Sequence, residues 1–420
     1  MNDIQQELVT RFYRYVQIPS QSKGNGGTVV PSTESQWDMA RQLQRELEEL
    51  GLTDISLSDK CVLTAKLPAH LPQGETKTVP SVGFCTHMDT VDVRLSPIVH
   101  PQTITAYDGG DIVLNEAQHI VMTAKDHPEL AKYKGQDLIV TDGTSVLGSD
   151  NKAAVANVMT ALSTLTKDPS LYHGDIYVAF VPDEECGLYG SKNMDFSKFP
   201  VDFAYTIDSC ELGEVVYETF NAGSATVTIH GVSAHPMSAK GVLVNPTLIA
   251  VDFINMFDRS ETPECTDGKD GYIWCQEVHS NQSTATVHLN IRDHHKDLYE
   301  EKKQRIAANV KKLQAANPRA VIECTISDTY GNIADAITDD NRKAIDYIYD
   351  AMKELDITPK TIAMRGGTDG SFISTKGILT PNYFTGGMNF HSRYEFLPIP
   401  SLVKSYEMTM KLIQLIYTGK

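Results

Sequence analysis

The sequence predicts a two-domain α/β protein, and three observations support this prediction. First, the chain has 420 residues, of which 41% are hydrophobic. A single hydrophobic core usually stops growing at about 250 to 300 residues, so this chain is long enough for two. Second, short apolar runs rich in β-branched residues alternate with helical patterns, which is typical of a mostly parallel, mixed sheet flanked by helices. Third, a central stretch alternates apolar and polar residues, which is typical of an antiparallel sheet with one solvated face.

The sequence pattern of the amino-terminal half predicts two helices, followed by buried strands. Residues 4–15 have apolar side chains at helical spacing, and residues 33–50 predict a helix that a capping box at Thr33 and Gln36 opens. Gly51 ends that helix. Apolar, β-branched runs predict strands at 61–67, 81–85, 174–181 and 203–207. Between the second and third of these runs, apolar residues on one face predict a helix around 155–165.

The pattern changes in the middle of the chain. Segments 224–230 and 284–293 alternate apolar and polar residues, and helices are expected near 246–258 and 299–315. We therefore predict an inserted α+β domain at 215–329 within a discontinuous α/β domain of residues 1–214 and 330–420. Beyond the insertion the first pattern returns, with helices near 340–355 and 400–417 and strands around 361–367 and 381–387.

Charge and cysteine content limit the partners of this chain. The formal net charge of -17 would repel nucleic acids and anionic membranes, so we predict neither as a partner. No apolar run approaches the ~18 residues that span a bilayer, and the first 16 residues lack a signal-peptide core. The seven cysteines are scattered without a C-x-x-C pair, which disfavours a disulfide framework and a thiolate zinc site. We expect a cytoplasmic protein.

Histidine and acidic residues follow strand-like runs at several places. The residues are His87 and Asp89 in CTHMDT, Glu184 and Glu185 in VPDEECG, Asp208 in YTIDS and His391 in GGMNFHS, with Asp150 in LGSDNKAA at a helix start. In an open α/β sheet, ligand sites form at the carboxyl ends of strands and at nearby helix starts. We therefore expect these side chains to converge.

Two histidines and three or four carboxylates suit a pair of metal ions. One carboxylate can bridge, and each ion can take one histidine and one further carboxylate. Two ions about 3.5 to 4 Å apart can hold a water, lower its pKa and polarise a carbonyl. One carboxylate must stay off the ions to move protons. Adjacent Glu184 and Glu185 suit this division, because neighbouring side chains in extended backbone point to opposite sides.

Each of these residues also has an ordinary interpretation when it is taken alone. A single histidine such as His87 is more often packed or on the surface, and only its H-x-D context after a strand favours a ligand. Asp150 could be a helix N-cap, and the acidic run at 183–185 could be a solvated loop. That run directly follows a buried type of strand, however, where mutual repulsion would need a cation to offset it.

Eight segments in order resemble one known family over nearly the whole chain. The segments are VPSTESQWDMA, FCTHMDT, YDGGDIVL, TDGTSVLGSDNKAA, VPDEECG, GVSAHP, RGGTDG and TPNYFTGGMNFHSRYEF. They resemble the two-zinc peptidases and deacylases related to carboxypeptidase G and aminoacylase, and within them the aminopeptidases that cleave tripeptides. So many ordered matches are far more specific than any single motif.

The resemblance implies a role for each residue of the predicted centre. The implied zinc ligands are His87 and Asp208 on one ion, Glu185 and His391 on the other, and Asp150 as the bridge. Glu184 would be the general base, and Asp89 would orient and polarise a ligand. The family also implies a cis peptide bond between Asp150 and Asn151.

The resemblance assigns the inserted domain as a lid and dimerisation domain and the remainder as the catalytic domain. His235 in GVSAHP would stabilise the tetrahedral oxyanion, in many dimers from the partner subunit. Arg292 and Arg365 would bind the terminal carboxylate of a peptide through planar guanidinium groups. In the ordinary interpretation, His235 caps a strand end, Arg292 pairs with Asp293 or a nearby glutamate, and Arg365 serves a glycine-rich turn.

The implied function is a two-zinc aminopeptidase that removes the N-terminal residue from short peptides, chiefly tripeptides. The resemblance also implies a homodimer formed through the lid. It further implies that Co²⁺ or Mn²⁺ can substitute for Zn²⁺. Open alternatives are a dipeptidase, an N-deacylase or a carbamoyl-amide hydrolase on the same metals, and a catalytically inactive metal-binding scaffold. A scaffold would have no use for the unligated base Glu184. No G-x-S-x-G or H-E-x-x-H motif is present, which disfavours serine hydrolysis and zincin chemistry.

Overall fold

A computed structural model describes residues 3–24 and 26–419. The helices are α1 Asp3–Val16, α2 Gln36–Glu49, α3 Ser149–Lys167, α4 Tyr189–Lys192, α5 Pro246–Ile254, α6 Lys296–Ala316, α7 Lys343–Glu354, α8 Asp369–Ser374 and α9 Ile399–Thr418. Short 3-10 helices span Pro128–Tyr133, Phe196–Lys198, Pro236–Ser238, Pro263–Cys265 and Ile333–Ala336. Within the described ranges, none of the helices is long and apolar enough to cross a membrane.

The strands are short and spread over the whole chain. They are β1 Thr53–Leu57, β2 Leu63–Leu67, β3 Val82–His87, β4 Pro101–Ile104, β5 Ile112–Asn115, β6 Ile120–Met122, β7 Leu138–Thr141, β8 Ile176–Val181, β9 Phe203–Ser209, β10 Glu214–Thr219, β11 Asn221–His230, β12 Tyr272–Ser280, β13 Thr284–Asp293, β14 Val321–Tyr330, β15 Lys360–Met364, β16 Asn382–Phe384 and β17 Phe396–Pro398.

The largest sheet has eight strands in the order β1-β2-β8-β3-β9-β16-β10-β15. Its centre is parallel, because β8, β3, β9 and β16 pair in the same direction, whereas β2 and β10 add antiparallel flanks. β3 is buried along its whole length, as expected for a parallel strand covered on both faces. Helices α3 and α8 both pack against β3 and β9. The predicted α/β class with a mixed sheet is therefore confirmed.

Helix α3 is the most deeply buried helix of this part of the fold. Nearly all of its residues from Ser149 to Leu165 are buried, and α1 and α9 pack against it. A helix that is buried on nearly all sides needs such a covering, and close packing removes its freedom to shift. The first residues of α3 are consequently held in one place.

A second, antiparallel sheet has four strands in the order β12-β13-β11-β14. Together with α5 and α6 it encloses a second hydrophobic core. Along β11, Ala225, Val227 and Ile229 are buried, and the residues between them are more exposed. This alternation is the pattern that predicts one solvated face. The expected antiparallel sheet of the inserted segment is confirmed.

The chain divides into two compact units. One contains the chain as far as Tyr217 together with Ala336–Ile362 and the residues from Thr368 onward, and the other contains Glu218–Asp335 and Ala363–Gly367. That these units act as a catalytic domain of residues 1–214 and 330–420 and a lid of residues 215–329 stays a prediction. Residues 1, 2, 25 and 420 of those ranges lie outside the described residues.

The segment between β3 and α3 contains structure that the sequence pattern did not predict. Strands β4 and β7 of this segment form a three-stranded sheet with the distant β17, and β5 and β6 form a hairpin beside it. Tyr107, Leu138 and Phe396 belong to the apolar cluster that joins these pieces. Each of β4 to β7 has only three or four residues, too few for a periodic pattern to be visible.

The predicted capping box of the second helix is wrong. Helix α2 begins at Gln36, with Ser35 as N-cap and no side-chain cap hydrogen bond. Thr33 Oγ1 instead donates to the carbonyl of Gln21, and Gln36 Nε2 donates to Asp183. These two side chains serve contacts with distant segments. The predicted end is confirmed, because Gly51 follows the helix with a φ of 77°.

Helices α1 and α2 are joined by a buried carboxylate, Glu46. It accepts hydrogen bonds from Tyr15 at 2.6 Å, Gln42 at 2.8 Å and Arg14 at 3.0 Å, and it also pairs with Arg11. Burial alone would raise the pKa of Glu46, but the hydrogen bonds from Tyr15 and Gln42 and the charge of Arg11 outweigh burial and lower it.

We predict that Glu46→Gln lowers the free energy of unfolding at pH 7 by about 3 kcal/mol, because it removes the negative charge that faces the buried guanidinium of Arg11. A carboxyl whose pKa falls on folding stabilises the protein above its unfolded pKa, and this contribution is lost as pH falls through the folded value. The difference between variant and wild type should therefore shrink below the ordinary glutamate pKa of 4.5. Urea unfolding at pH 7 and near pH 4 measures both effects.

The matched control is Glu49→Gln, at an exposed position of the same helix. It should change the free energy of unfolding by less than about 0.5 kcal/mol. Equal effects of the two substitutions would contradict a special contribution from Glu46.

Candidate metal centre

Three neighbouring strands of the large sheet end at the candidate centre. His87 is the last residue of β3, and Asp208 is the last residue but one of β9. Glu184 and Glu185 follow the end of β8 at Val181. Because β8, β3 and β9 are parallel neighbours, their carboxyl ends meet at one edge of the sheet, where ligand sites form in α/β folds.

Asp150 and His391 reach the same place from a helix start and from a loop. The backbone at Asp150 is not helical, with φ -86° and ψ 100°, and its peptide bond to Asn151 is cis as predicted. Asp150 Oδ1 lies 3.0 Å from His87 Nε2, and Oδ2 lies 3.1 Å from His391 Nε2. One carboxylate that faces two imidazole groups in this way can bridge two cations.

The other carboxylates divide between the two histidines. Asp208 Oδ1 lies 3.5 Å from His87 Nε2, and Glu185 Oε1 lies 2.9 Å from His391 Nε2. Glu184 Oε2 lies farther out, 4.0 Å from His87 Nε2. The ligand atoms of His87, Asp150 and Glu185 all lie within 4.8 Å of one another, close enough to hold one ion.

Burial and mutual charge perturb these groups strongly. Burial raises the pKa of Glu185 to about 8, with the charge of Asp150 adding to the effect, and burial raises the pKa of Asp208 to about 6. Burial alone would lower the pKa of His87, but hydrogen bonds with Asp150, Asp208 and Asp89 outweigh burial and raise it well above its usual range. Cations can displace protons from such a cluster, because metal ligands bind in their deprotonated form. The donor set therefore fits divalent metal ions.

Glu184 and Asp150 differ in how their surroundings act on them. Burial raises the pKa of Glu184 well above its usual range, and the charge of His87 opposes this only in part. Burial would also raise the pKa of Asp150, but hydrogen bonds from His391 and His87 outweigh burial and lower it. The surroundings therefore favour the charged form of Asp150 and raise the proton affinity of Glu184.

Asp89 is fully buried and connects two strand ends. Its carboxylate accepts hydrogen bonds from the backbone N–H groups of Glu184, at 3.0 Å, and Glu185, at 3.3 Å. Its Oδ1 lies 3.4 Å from His87 Nδ1, on the side of the ring away from Asp150. Asp89 thus turns Nε2 of His87 toward the centre, as expected for a residue that orients a ligand.

Sequence reasoning gave no role to Asp183, which holds the turn before Glu184. Asp183 has a φ of 54°, in the left-handed region that few residues other than glycine adopt. Its carboxylate accepts hydrogen bonds from Ser32 N at 2.6 Å, Ser32 Oγ at 2.5 Å and Gln36 Nε2 at 2.7 Å. The segments VPSTESQ and VPDEECG are therefore packed together, which sequence order alone does not reveal.

Two further buried acids near the centre were also missed. Asp369 in RGGTDG is 2% exposed, and burial raises its pKa to about 7. Among the described residues, no hydrogen-bond partner exists for its Oδ1. Glu395 in SRYEF is 1% exposed, burial raises its pKa to about 7, and its carboxylate accepts hydrogen bonds from the start of α3. Both acids lie in motifs of the resemblance, which was the only signal for them.

The predicted substrate residues lie in the second compact unit. His235 is exposed, and its Nδ1 accepts a hydrogen bond from the backbone N–H of Met237 at 3.2 Å. Arg292 Nη1 donates to the carbonyls of Gly223 and Ile291. Asp293, the predicted alternative partner of Arg292, instead pairs with Lys302 at 2.6 Å.

Arg365 is committed to a neighbouring loop. Its Nη1 donates to the carbonyls of Gly268, at 3.1 Å, and Asp270, at 2.9 Å, and its Nη2 donates to Thr266 Oγ1 at 2.8 Å. The ring of Phe220 lies 5.1 Å from the guanidinium carbon. These contacts support a structural task for Arg365, and its predicted contact with a substrate carboxylate stays a prediction.

The chain is similar in sequence and in fold to known peptidases. The model of peptidase family M20/M25/M40 matches residues 148–415. A peptidase T-like protein of Yersinia pestis is 52% identical over 406 residues, and the match covers 97% of each chain. A peptidase T of a Geobacillus strain is 41% identical over 409 residues, covering 97% of this chain and 98% of the relative. The crystal structure of a tripeptidase from Staphylococcus aureus has a TM-score of 0.73 at 22% identity, covers 99% of both chains and shows the same fold.

Proposed function

Because this chain belongs to peptidase family M20/M25/M40, we infer that its centre hydrolyses peptides from the amino end, as the name of the aminopeptidase PepT from Bacillus cereus states for that protein. The chain is a metal-dependent tripeptide aminopeptidase. The finer proposal is that it holds two Zn²⁺ ions. One observation supports this proposal above all others: the two oxygens of Asp150 face two different histidines, at 3.0 and 3.1 Å.

We assign the ligands according to these distances. His87 and Asp208 would hold one ion, His391 and Glu185 would hold the other, and Asp150 would serve both. Each ion would then have one nitrogen and two carboxylate ligands, which would leave room for water and substrate. Two bound Zn²⁺ ions would lower the pKa of the attacking water and polarise the scissile carbonyl.

Glu184 moves the proton in the proposed reaction. It accepts a proton from the attacking water as the oxygen forms its bond to the carbonyl carbon, and it donates this proton to the leaving amine as the C–N bond breaks. Glu184 lies beside a ligand but at 4.0 Å from His87 Nε2, farther than Asp150 at 3.0 Å and Asp208 at 3.5 Å. Burial raises the pKa of its carboxyl, which helps it to keep the proton between the two transfers. Asp89 keeps His87 and the Glu184 backbone in place.

Residues of the second unit are proposed to bind the substrate. In its neutral form His235 carries its proton on Nε2, because Nδ1 already accepts from Met237, and this N–H suits the developing oxyanion. Arg292 and Arg365 stay the proposed cations for the terminal carboxylate. A guanidinium has five N–H donors, so the backbone contacts of each arginine leave donors for a ligand.

The cytoplasm stays our proposed location. All seven cysteines lie within the described residues and are free thiols, which is typical of a reducing compartment.

The substrate proposal is tested by hydrolysis of unblocked di-, tri- and tetrapeptides beside N-acetylated controls, with metal content determined on the same sample. We expect cleavage of tripeptides from the free amino end and about two zinc ions per chain. Cleavage of acylated substrates alone would assign the chain to the deacylases, and preference for dipeptides would make it a dipeptidase. No cleavage at full metal occupancy would indicate an inactive scaffold.

The assignment of the base is tested by two neighbouring isosteric substitutions. Glu184→Gln should keep both ions and the fold and should lower kcat by about 10²- to 10⁴-fold, because it removes the proton acceptor and no ligand. Glu185→Gln is the matched control and should lose zinc affinity at the His391 side. Metal analysis and steady-state kinetics of both variants are the measurements. Loss of zinc from the Glu184 variant would instead identify Glu184 as a ligand.

The predicted homodimer has a candidate contact surface on α5. Leu248 and Val251 lie one helical turn apart and are 61% and 47% exposed, whereas Ile249, Ala250 and Phe253 face the core of the unit. Apolar side chains exposed together on one helix face suit burial against a second copy of the chain.

We predict that the wild type sediments as a dimer and that the double substitution Leu248→Glu and Val251→Glu converts it to a monomer. Charges placed in the contact would be buried without partners. The control is Val113→Glu, at a position that is 52% exposed on β5, and it should remain dimeric. A monomeric wild type at micromolar concentration, or a dimeric double variant, would contradict this surface.

A further inference from the structure

Glu395 accepts hydrogen bonds from four consecutive residues at the start of α3. Its Oε2 accepts from the backbone N–H groups of Leu147, at 2.8 Å, and Gly148, at 2.9 Å. Its Oε1 accepts from Ser149 Oγ at 2.5 Å and from the backbone N–H of Asp150 at 3.2 Å. A single buried side chain therefore fixes the whole segment that leads into the central carboxylate.

The start of α3 needs such an acceptor. The first N–H groups of a helix have no partner within the helix, and buried unpaired donors are costly. Here Gly148 is left-handed, with a φ of 78°, and Asp150 and Asn151 are not helical, so the segment lacks the regular bonds of a helix turn. Glu395 provides these bonds instead, and the conformation of Asp150 depends on them.

The loop that supplies Glu395 also supplies His391. His391 Nε2 lies 3.1 Å from Asp150 Oδ2, while Glu395 holds the Asp150 backbone. The loop ends at β17, where Phe396 pairs with Val140 of β7. The same loop therefore contacts Asp150 at its carboxylate and at its backbone, and the β7–β17 pairing anchors it.

The two sides of the centre are not held equally well. On one side, His87 is 1% exposed and is fixed by Asp89, and the backbone N–H of Asp208 donates to Asn382 Oδ1 at 2.7 Å. On the other side, the His391 side chain is 46% exposed. The His391 side therefore depends more on the position of its loop and of Asp150.

We propose that Glu395 is a positioning residue that acts through Asp150 and sets the affinity of the centre for the ion at His391 and Glu185. This inference rests on the proposed two-zinc function. Residues that orient a metal ligand typically change metal affinity or activity by about 10- to 100-fold when they are replaced. A carboxylate that served only the fold would change stability and would leave zinc affinity as it was.

The test is a calorimetric titration of the metal-depleted, full-length protein with Zn²⁺, for wild type and three variants. Glu395→Gln keeps the size of the side chain but has one acceptor oxygen in place of two, so one pair of donors loses its partner. Ser149→Ala removes one of the four contacts and leaves Glu395 in place. Glu407→Gln is the control, because Glu407 is a partly exposed acid on α9 that pairs with Lys404.

We expect two zinc sites in the wild type and in the Glu407 control. In Glu395→Gln the tighter site should keep its Kd within about threefold, and the Kd of the weaker site should rise by about 10- to 100-fold. Ser149→Ala should change the same site in the same direction by a smaller factor. Thermal unfolding of the metal-free proteins separates this effect from a loss of stability.

Each contrary result has a distinct meaning. If Glu395→Gln binds both ions with wild-type affinity, or weakens both sites equally, the positioning role is wrong. A lower unfolding temperature with unchanged zinc affinity also overturns it, because the side chain would then serve only the fold. If Glu395→Gln does not fold, Ser149→Ala decides by the same criterion. A wild type that binds fewer than two ions overturns the two-zinc function itself, before any variant is compared.

Discussion

Carboxylates buried side by side repel one another, and the candidate centre is built around this constraint. Asp150, Asp208, Glu184 and Glu185 crowd one edge of a sheet, and among the described residues their ion-pair partners are His87 and His391. Protons or cations must offset the repulsion. Because the carboxylates are buried, a small displacement of one carboxylate changes whether a proton or a cation binds there. The fold therefore has to hold each carboxylate in place before any metal binds.

The fold meets this requirement with one repeated device, in which a buried carboxylate accepts backbone N–H groups of a loop. Asp89 binds the amides of Glu184 and Glu185, Asp183 binds that of Ser32, and Glu395 binds those that lead into Asp150. Hydrogen bonds to an ionised acceptor are stronger than neutral ones, and each fixes a main-chain position. The loops of the centre thus gain the rigidity that a regular strand or helix would otherwise provide.

The sequence predicted the parts of the fold that depend on local pattern. Strands β3, β8 and β9 are continuous apolar runs, and α3 shows an apolar face, so their order along the chain indicated a parallel sheet with converging ends. The short strands β4 to β7 carry too few residues for such a pattern. The residue types of the centre were visible as well, because histidines and acids follow several strands at the end where ligand sites form in α/β folds.

Long-range contacts explain what the sequence did not predict. Thr33 and Gln36 match a capping box, but Gln36 bonds to Asp183, which lies 147 positions away. The partners of Glu395 lie about 245 positions earlier in the chain, so its sequence context shows only an acid near a histidine. In both cases, hydrogen bonds to distant segments determine the local conformation. Local propensity is a weaker influence than such tertiary contacts.

A metal centre of this kind sets the chemistry but not the specificity, because the same ions can hydrolyse an acylated amine as well as a peptide. Selection for a short peptide requires groups that bind its charged ends. The guanidinium of Arg365 is held by Thr266, Gly268 and Asp270, so its position is fixed before a ligand arrives. A fixed cation loses little conformational entropy on binding a carboxylate, which gives a preorganised group an advantage over a mobile lysine. The contacts that give Arg365 a structural task are therefore compatible with the proposed role in binding the substrate carboxylate.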